Sequence, residues 1–212
     1  MEFDEKKGTE ESNIWEAEST KSDISEETTQ KPPLLKRFWK EWGDVIILLA
    51  VVFVLFKFVF QLAWVPTGSM ETNIPAKSMQ ICWQLPYKLG DPMPKHGDVI
   101  TFWSDENHEV LVKRVIGLPG DTVSFSGGYV YRNGELLEES YLPVQGITES
   151  PELSFTVPEG CVFFLGDNRT GSFDARFWQN HYIPISELQA KVLLTISVGK
   201  NHSWTGIRLI TK

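Results

Sequence analysis

The chain has 212 residues, 42% of them hydrophobic and 23% charged, with 20 basic against 28 acidic side chains and a formal net charge of −8. No stretch is rich enough in Lys and Arg for a nucleic-acid footprint, and two cysteines exclude both a disulfide-stapled mini-protein and a Cys-based zinc cluster. The acidity is local: residues 1–33 hold 4 Lys and 10 Asp/Glu, a net of −6, so residues 34–212 carry only −2.

Residues 1–33 are too polar to bury the apolar surface that would offset the entropy of ordering them, and are expected to form a disordered acidic cytoplasmic tail. A basic and aromatic juxtamembrane segment follows at 34–43, with Lys36, Arg37, Trp39, Lys40 and Trp42. Residues 44–65, DVIILLAVVFVLFKFVFQLAWV, are the expected transmembrane helix. As a helix, 22 residues would span about 33 Å, enough for a hydrocarbon core of about 30 Å. Lys57 lies eight residues from the end of the run and can snorkel its amine towards the interface. A buried core helix and a cleaved secretion signal are the alternatives. The first is uncommon in a domain this small, and the second would lie nearer the N-terminus and end in a small-x-small site. Basic residues precede the run and none follows until Lys77, so the positive-inside rule places the N-terminus in the cytoplasm and the rest outside, in a single-pass membrane protein.

Beyond residue 66 short runs of Val, Ile, Phe and Tyr are punctuated by Gly, Pro, Asn and Asp. The expected class is therefore mainly β: a transmembrane helix followed by an all-β domain over 66–200, with 201–212 as a C-terminal segment. Strands are expected at 79–83, 98–103, 109–117, 122–125, 129–132, 161–165 and 191–198. Asn133-Gly134 marks a tight hairpin turn. Residues 141–155 read as a peripheral polar loop, and 185–190 as a short helix capped by Ser186.

Four segments combine reactive side chains with backbone-shaping residues. Pro66-Thr-Gly-Ser-Met-Glu-Thr-Asn73 presents Ser69 after a glycine, with Thr67 two residues earlier; alone, it is an ordinary turn signal. In Val110-Leu-Val-Lys-Arg-Val-Ile-Gly-Leu-Pro-Gly-Asp121, strand alternation sends Lys113 and Arg114 to opposite faces, so one cation shares a face with apolar neighbours. Either both snorkel to water from an edge strand, or one is desolvated. A lysine half-neutral at pH 7 needs a shift of about 3 units, which burial can supply, and it can then serve as a base for a serine. Leu165-Gly-Asp-Asn-Arg-Thr-Gly-Ser-Phe-Asp-Ala-Arg176 carries Ser172 and a possible Asp174–Arg176 pair; the bland reading is a salt-bridged surface loop. Lys95-His-Gly-Asp-Val-Ile100 reads as a structural turn.

The histidines at 96, 108, 181 and 202 have no zinc-ligand spacing, and none is singled out for a Ser-His-Asp triad. Asp98, Asp121, Asp167 and Asp174 could form an acid/base pair or hold calcium, but their settings also suit turns. Cys82 and Cys161 could pair in an oxidising compartment; two free thiols fit their strand positions better.

Taken in order, a membrane span, PTGSM, GDVI, VKRVIGLPGD and GDNRTGSFDAR resemble the bacterial type I signal peptidases over residues 36 to 200. That resemblance implies a membrane-anchored serine endopeptidase with a Ser/Lys dyad, an all-β catalytic core and a β-rich insertion, here at 122–157. It implies Ser69 as nucleophile and Lys113 as general base, with Thr67 and the Ser69 amide as oxyanion hole. Ser172 would orient the lysine by a hydrogen bond, and Asp174 and Arg176 would fix its loop. Val65, Pro66, Met70, Ile74, Leu111 and Val112 would line shallow pockets for small residues at −3 and −1 of the substrate. No metal or organic cofactor is implied. The implied partners are preproteins bearing signal peptides, the lipid bilayer and the secretion translocon. Glu71-Thr72-Asn73 and Lys77-Ser78 depart from the family pattern, as do Phe173 and Ala175. The rivals are a non-catalytic anchored β-domain with an assembly role, which would be expected to lack the Ser or the Lys, and a self-cleaving repressor-type protein, which would be cytoplasmic.

Overall fold

The computed structural model describes residues 34–71, 73–90, 92–198 and 204–210, so the acidic tail at 1–33 lies outside the described residues. The chain divides into two compact units, with the boundary between Ile46 and Ile47. In the first, the start of helix α1 (Leu34–Val54) exposes Phe38, Trp39 and Trp42.

In the second unit the helix continues as one π turn, Leu55–Val59, and then becomes strand β1 (Phe60–Val65). Among the described residues, one helical, apolar stretch is long enough to cross a membrane, Phe38–Val59, with a mean hydropathy of 2.4. This corrects the helix expected over 44–65: the helix begins ten residues earlier, and the last six residues of that span are strand. The reason lies in the partner. Phe60 to Val65 pair antiparallel with β2 (Ser78–Trp83), residue 60 opposite 83 and 65 opposite 78. The carbonyls freed where the helix unwinds are met by the buried Gln84, whose Nε2 donates to Phe60 O at 2.7 Å and Lys57 O at 3.1 Å. Lys88 Nζ adds a bond to Lys57 O at 2.8 Å.

The remaining elements are a short helix α2 (Leu85–Leu89) and strands β3 (Val99–Ser104), β4 (Glu109–Gly117), β5 (Thr122–Ser126), β6 (Tyr129–Arg132), β7 (Glu135–Leu136), β8 (Ser154–Thr156), β9 (Cys161–Leu165), β10 (Ile183–Pro184), β11 (Leu188–Val198) and β12 (Trp204–Leu209). The protein is therefore mainly β behind an N-terminal apolar helix. The main sheet has the order β1-β2-β11-β3-β4-β9-β10, with β12 also paired to β11, and a second sheet runs β7-β6-β5-β8. Strand β11 serves two neighbours on one side: its first residues pair with β3, while Leu194 to Val198 pair with β12. A bulge between Val192 and Leu194 separates the two stretches. Asn133 and Gly134 have φ of 53° and 84°, the positive angles of a primed turn between β6 and β7.

Three further expectations need correction. Residues 185–190 hold only a 3-10 turn, Ile185–Glu187, without a side-chain cap, because Leu188 already enters the sheet beside Phe102. Residues 204–209 are a strand of the main sheet rather than a separate terminal segment. Residues 141–155 are not peripheral, since Leu142, Thr148 and Phe155 are buried and Glu139 beside them pairs with the buried Arg169. Cys82 and Cys161 are free thiols, and burial pushes Cys82 up to about 12.

Among the described residues, two apolar clusters hold the domain. The larger packs Phe102, Phe163, Phe164 and Trp178 with the inner residues of the second sheet, and Phe102 stacks on Phe164 at 4.5 Å. The smaller collects Val65, Met70, Ile74, Cys82, Val99, Ala190 and Val192. The opposite face of β1, β2, β11 and β12 is apolar and open to the surroundings. Trp64 faces Met79, Leu62 faces Ile81, Ile196 faces Ile207 and Leu194 faces Leu209 across the strands. Trp64, Leu62, Met79, Ile207 and Leu209 are all exposed there. So continuous an apolar surface is unusual on a face bathed in water.

Candidate active site

A cleft of about 290 Å³ is lined by Thr67, Gly68, Ser69, Asn107, Glu109, Leu111, Lys113, Asn168, Gly171 and Phe173. Three chain segments meet in it: the loop after β1, strand β4 with the turn that leads into it, and the loop after β9. The structure thus brings Thr67, Ser69 and Lys113 into one concavity, although they lie 46 residues apart at the extremes.

Lys113 and Arg114 point to opposite faces of β4 and neither snorkels, being 2% and 1% exposed. Each burial has its own solution. Arg114 Nε and Nη2 donate to Asp167 Oδ1 and Oδ2, both at 2.7 Å, Nη1 donates to Gly97 O, and the guanidinium lies 3.9 Å from the Tyr141 ring centroid. For Lys113, no carboxylate among the described residues lies within ion-pair distance. Desolvation lowers its pKa from 10.5 to about 8, with Asp174, Asp167 and Glu109 opposing the shift and Arg176 assisting it. An amine in that range is partly neutral near pH 7 to 8 and can accept a proton.

The Ser69 loop is held from the loop after β9. Asn168 N donates to Ser69 O at 3.0 Å, and Asn168 Nδ2 donates to Gly68 O at 3.0 Å. Asn73 Nδ2 donates to Asp167 Oδ2 at 2.8 Å, so the far end of the same segment is tied to the Arg114 pair. Where the two loops cross, Gly166 leaves no room for a side chain: a Cβ there would stand 2.1 Å from Ser172 Oγ and 2.6 Å from Ser69 O.

The rest of the loop is set by buried charge. Asp174 Oδ1 and Oδ2 accept from Arg176 Nε at 2.8 Å and Nη2 at 2.9 Å, and Asp174 Oδ2 also accepts from Gly166 N at 2.9 Å. Arg176 further donates to Glu149 O and Arg169 O. Arg169 Nη1 and Nη2 donate to Glu139, and Nε donates to Gly166 O. Glu139, Tyr141 and Thr148 thus brace the loop through Arg169, a role invisible in the sequence because nothing local marks a polar stretch as buried.

Not every anticipated residue reaches the cleft. Ser172 is buried, but its Oγ has no hydrogen-bond partner among the described residues, so the bond to Lys113 implied by the resemblance is not formed here. Of the six residues anticipated for substrate pockets, Leu111 lines the cleft. Val65, Met70 and Ile74 are buried in the smaller apolar cluster with Val112 packed against it, and Pro66 is exposed. Asn107, Glu109, Asn168 and Phe173 line the cleft without having been anticipated as site residues. Asn168 and Phe173 lie within the 165–176 segment already singled out and Glu109 borders the 110–121 segment, whereas nothing in the sequence marks Asn107.

The profile of the family described as signal peptidase, peptidase S26 matches residues 39–197. A probable signal peptidase I-2 of Synechocystis is 30% identical over 181 residues, covering 81% of this chain and 79% of its own. The signal peptidase I of Bacillus caldolyticus is 34% identical over 158 residues, covering 69% and 84% respectively. A crystal structure of a signal peptidase I from Enterococcus faecalis is 32% identical and covers 47% of this chain and 97% of its own, with a TM-score of 0.41. The chain belongs to the S26 family of signal peptidases, which are serine peptidases.

Proposed function

We propose that this protein removes signal peptides from exported preproteins, with Ser69 as nucleophile, Lys113 as general base, and small residues required at −3 and −1. The observation that carries the reading is the buried amine of Lys113, its pKa lowered to about 8, lining the same cleft as Ser69. Neutral Lys113 takes the Ser69 Oγ proton as that oxygen attacks the carbonyl of the −1 residue. The Ser69 amide and the Thr67 hydroxyl stabilise the oxyanion; one such donor is worth about 2.7–4 kcal/mol. Protonated Lys113 then gives its proton to the leaving amine, and as the neutral base activates the water that hydrolyses the acyl-enzyme. Asp174 and Arg176 hold the loop whose charges act on the lysine. Leu111 contributes to the apolar wall that would favour small side chains. The chemistry is nucleophilic and acid–base and calls on no cofactor.

In this reading the apolar helix anchors the protein in the bilayer, N-terminus in the cytoplasm and cleft outside. The exposed sheet face carrying Trp64, Leu62 and Met79 lies against lipid. Preproteins reach the cleft in the same membrane as they leave the translocon, which raises their effective concentration.

The pH dependence tests the dyad. Because only the neutral amine is a base, kcat/KM is expected to rise with pH along a limb of apparent pKa near 8. A limb near 6.5, the ordinary histidine value, or one near 4 from a carboxylate, would remove Lys113 from the role.

A further inference from the structure

Asn168 holds the Ser69 loop through both its backbone N–H and its side-chain amide. Its amide is oriented by two opposed partners: Nδ2 donates to Gly68 O at 3.0 Å while Oδ1 accepts from Gly171 N at 3.1 Å. Turned over, the amide would set oxygen against carbonyl and NH₂ against N–H. Gly171 permits the fit, since a Cβ there would stand 2.8 Å from Asn168 Nδ2. The consequence runs through a single peptide plane. Gly68 C=O and Ser69 N–H belong to the same planar group and point in opposite directions. Gly68 O is held twice, by Asn168 Nδ2 and by Glu71 N at 3.1 Å, while the Ser69 N–H meets no acceptor among the described residues. Fixing the carbonyl therefore aims the amide.

We propose that Asn168 is a positioning residue for the oxyanion hole: by anchoring the Gly68 carbonyl it holds the Ser69 N–H towards the place where negative charge develops. This rests on the reading of Ser69 as nucleophile and oxyanion donor. It gives Asn168 an effect on the transition state rather than on substrate binding, because a donor held in place in advance needs no reorganisation as charge develops.

The test uses the full-length enzyme in detergent and two peptides of one sequence with alanine at −3 and −1. One ends in an aldehyde, which adds Ser69 Oγ to form a hemiacetal; the other is uncleavable through N-methylation of the scissile amide. Asn168→Asp keeps the acceptor for Gly171 N–H and loses the donor to Gly68 O, whereas Asn168→Ala loses both without adding charge. Both are expected to weaken aldehyde inhibition and lower kcat by about tenfold or more, with uncleavable-peptide affinity within about twofold of wild type. Aldehyde and peptide affinities falling together, or neither falling, would overturn the role of Asn168. Ser69→Ala run in parallel separates the two claims. If it binds the aldehyde as wild type does, the underlying reading fails; if it does not while the Asn168 variants do, only the positioning role fails.

Discussion

Lys113→Arg is expected to lower kcat/KM for a preprotein by about 10²–10⁴-fold, the range that a positioned general base contributes. A guanidinium keeps its proton at any pH the protein survives, so raising the pH should not restore activity. Lys113→Met is the companion variant, because it removes the charge and keeps a side chain of similar length. Its stability can be given a sign. The amine's pKa is about 8 in the folded chain against an ordinary 10.5, so the folded state binds this proton more weakly than the unfolded state does. The burial penalty is therefore fully present below pH 8 and disappears as the pH rises from 8 towards 10.5. At pH 7 Lys113→Met should unfold at no lower denaturant concentration than wild type, yet be as inactive as Lys113→Arg. Activity near wild type in either variant would remove Lys113 from the mechanism.

Asp174→Ala should have the largest effect on the fold. Asp174 is fully buried against Arg176, itself 1% exposed, and its Oδ2 also receives the Gly166 N–H. Truncation leaves a guanidinium buried and unpaired, a change that costs about 3–5 kcal/mol where buried pairs are broken one-sidedly. Gly166 is the crossing point of the two loops, so activity should fall with stability. Unfolding followed by tryptophan fluorescence checks this, since Trp178 lies in the larger core cluster. A loss below about 1 kcal/mol would mean that water reaches Arg176 and that the loop is not held as described.

The unusual environment of Lys113 is legible in the β4 residue pattern: adjacent cations in an apolar strand must diverge, and one must be desolvated unless both reach water. The hairpin at Asn133-Gly134 is equally legible, because few residues accept two positive φ angles. What the sequence hides are long-range choices. Phe60 to Val65 are as apolar as the helix before them, and only pairing with Ser78 to Trp83 makes them a strand. Glu139 and Thr148 look like surface residues until Arg169, 30 and 21 positions away, requires buried partners. Resemblance assigns Met70 and Ile74 to substrate pockets, whereas both are 0% exposed in the smaller core. Apolar type alone cannot tell a pocket wall from the packing behind it.

The most direct measurement is cleavage of a preprotein with alanine at −3 and −1 by the detergent-solubilised full chain and by Ser69→Ala, with the new N-terminus sequenced. Wild type should cut after the −1 alanine and Ser69→Ala should not cut, while unfolding at the same denaturant concentration. Equal cutting by both proteins, or no cutting by folded wild type across several preproteins and lipids, would contradict the account.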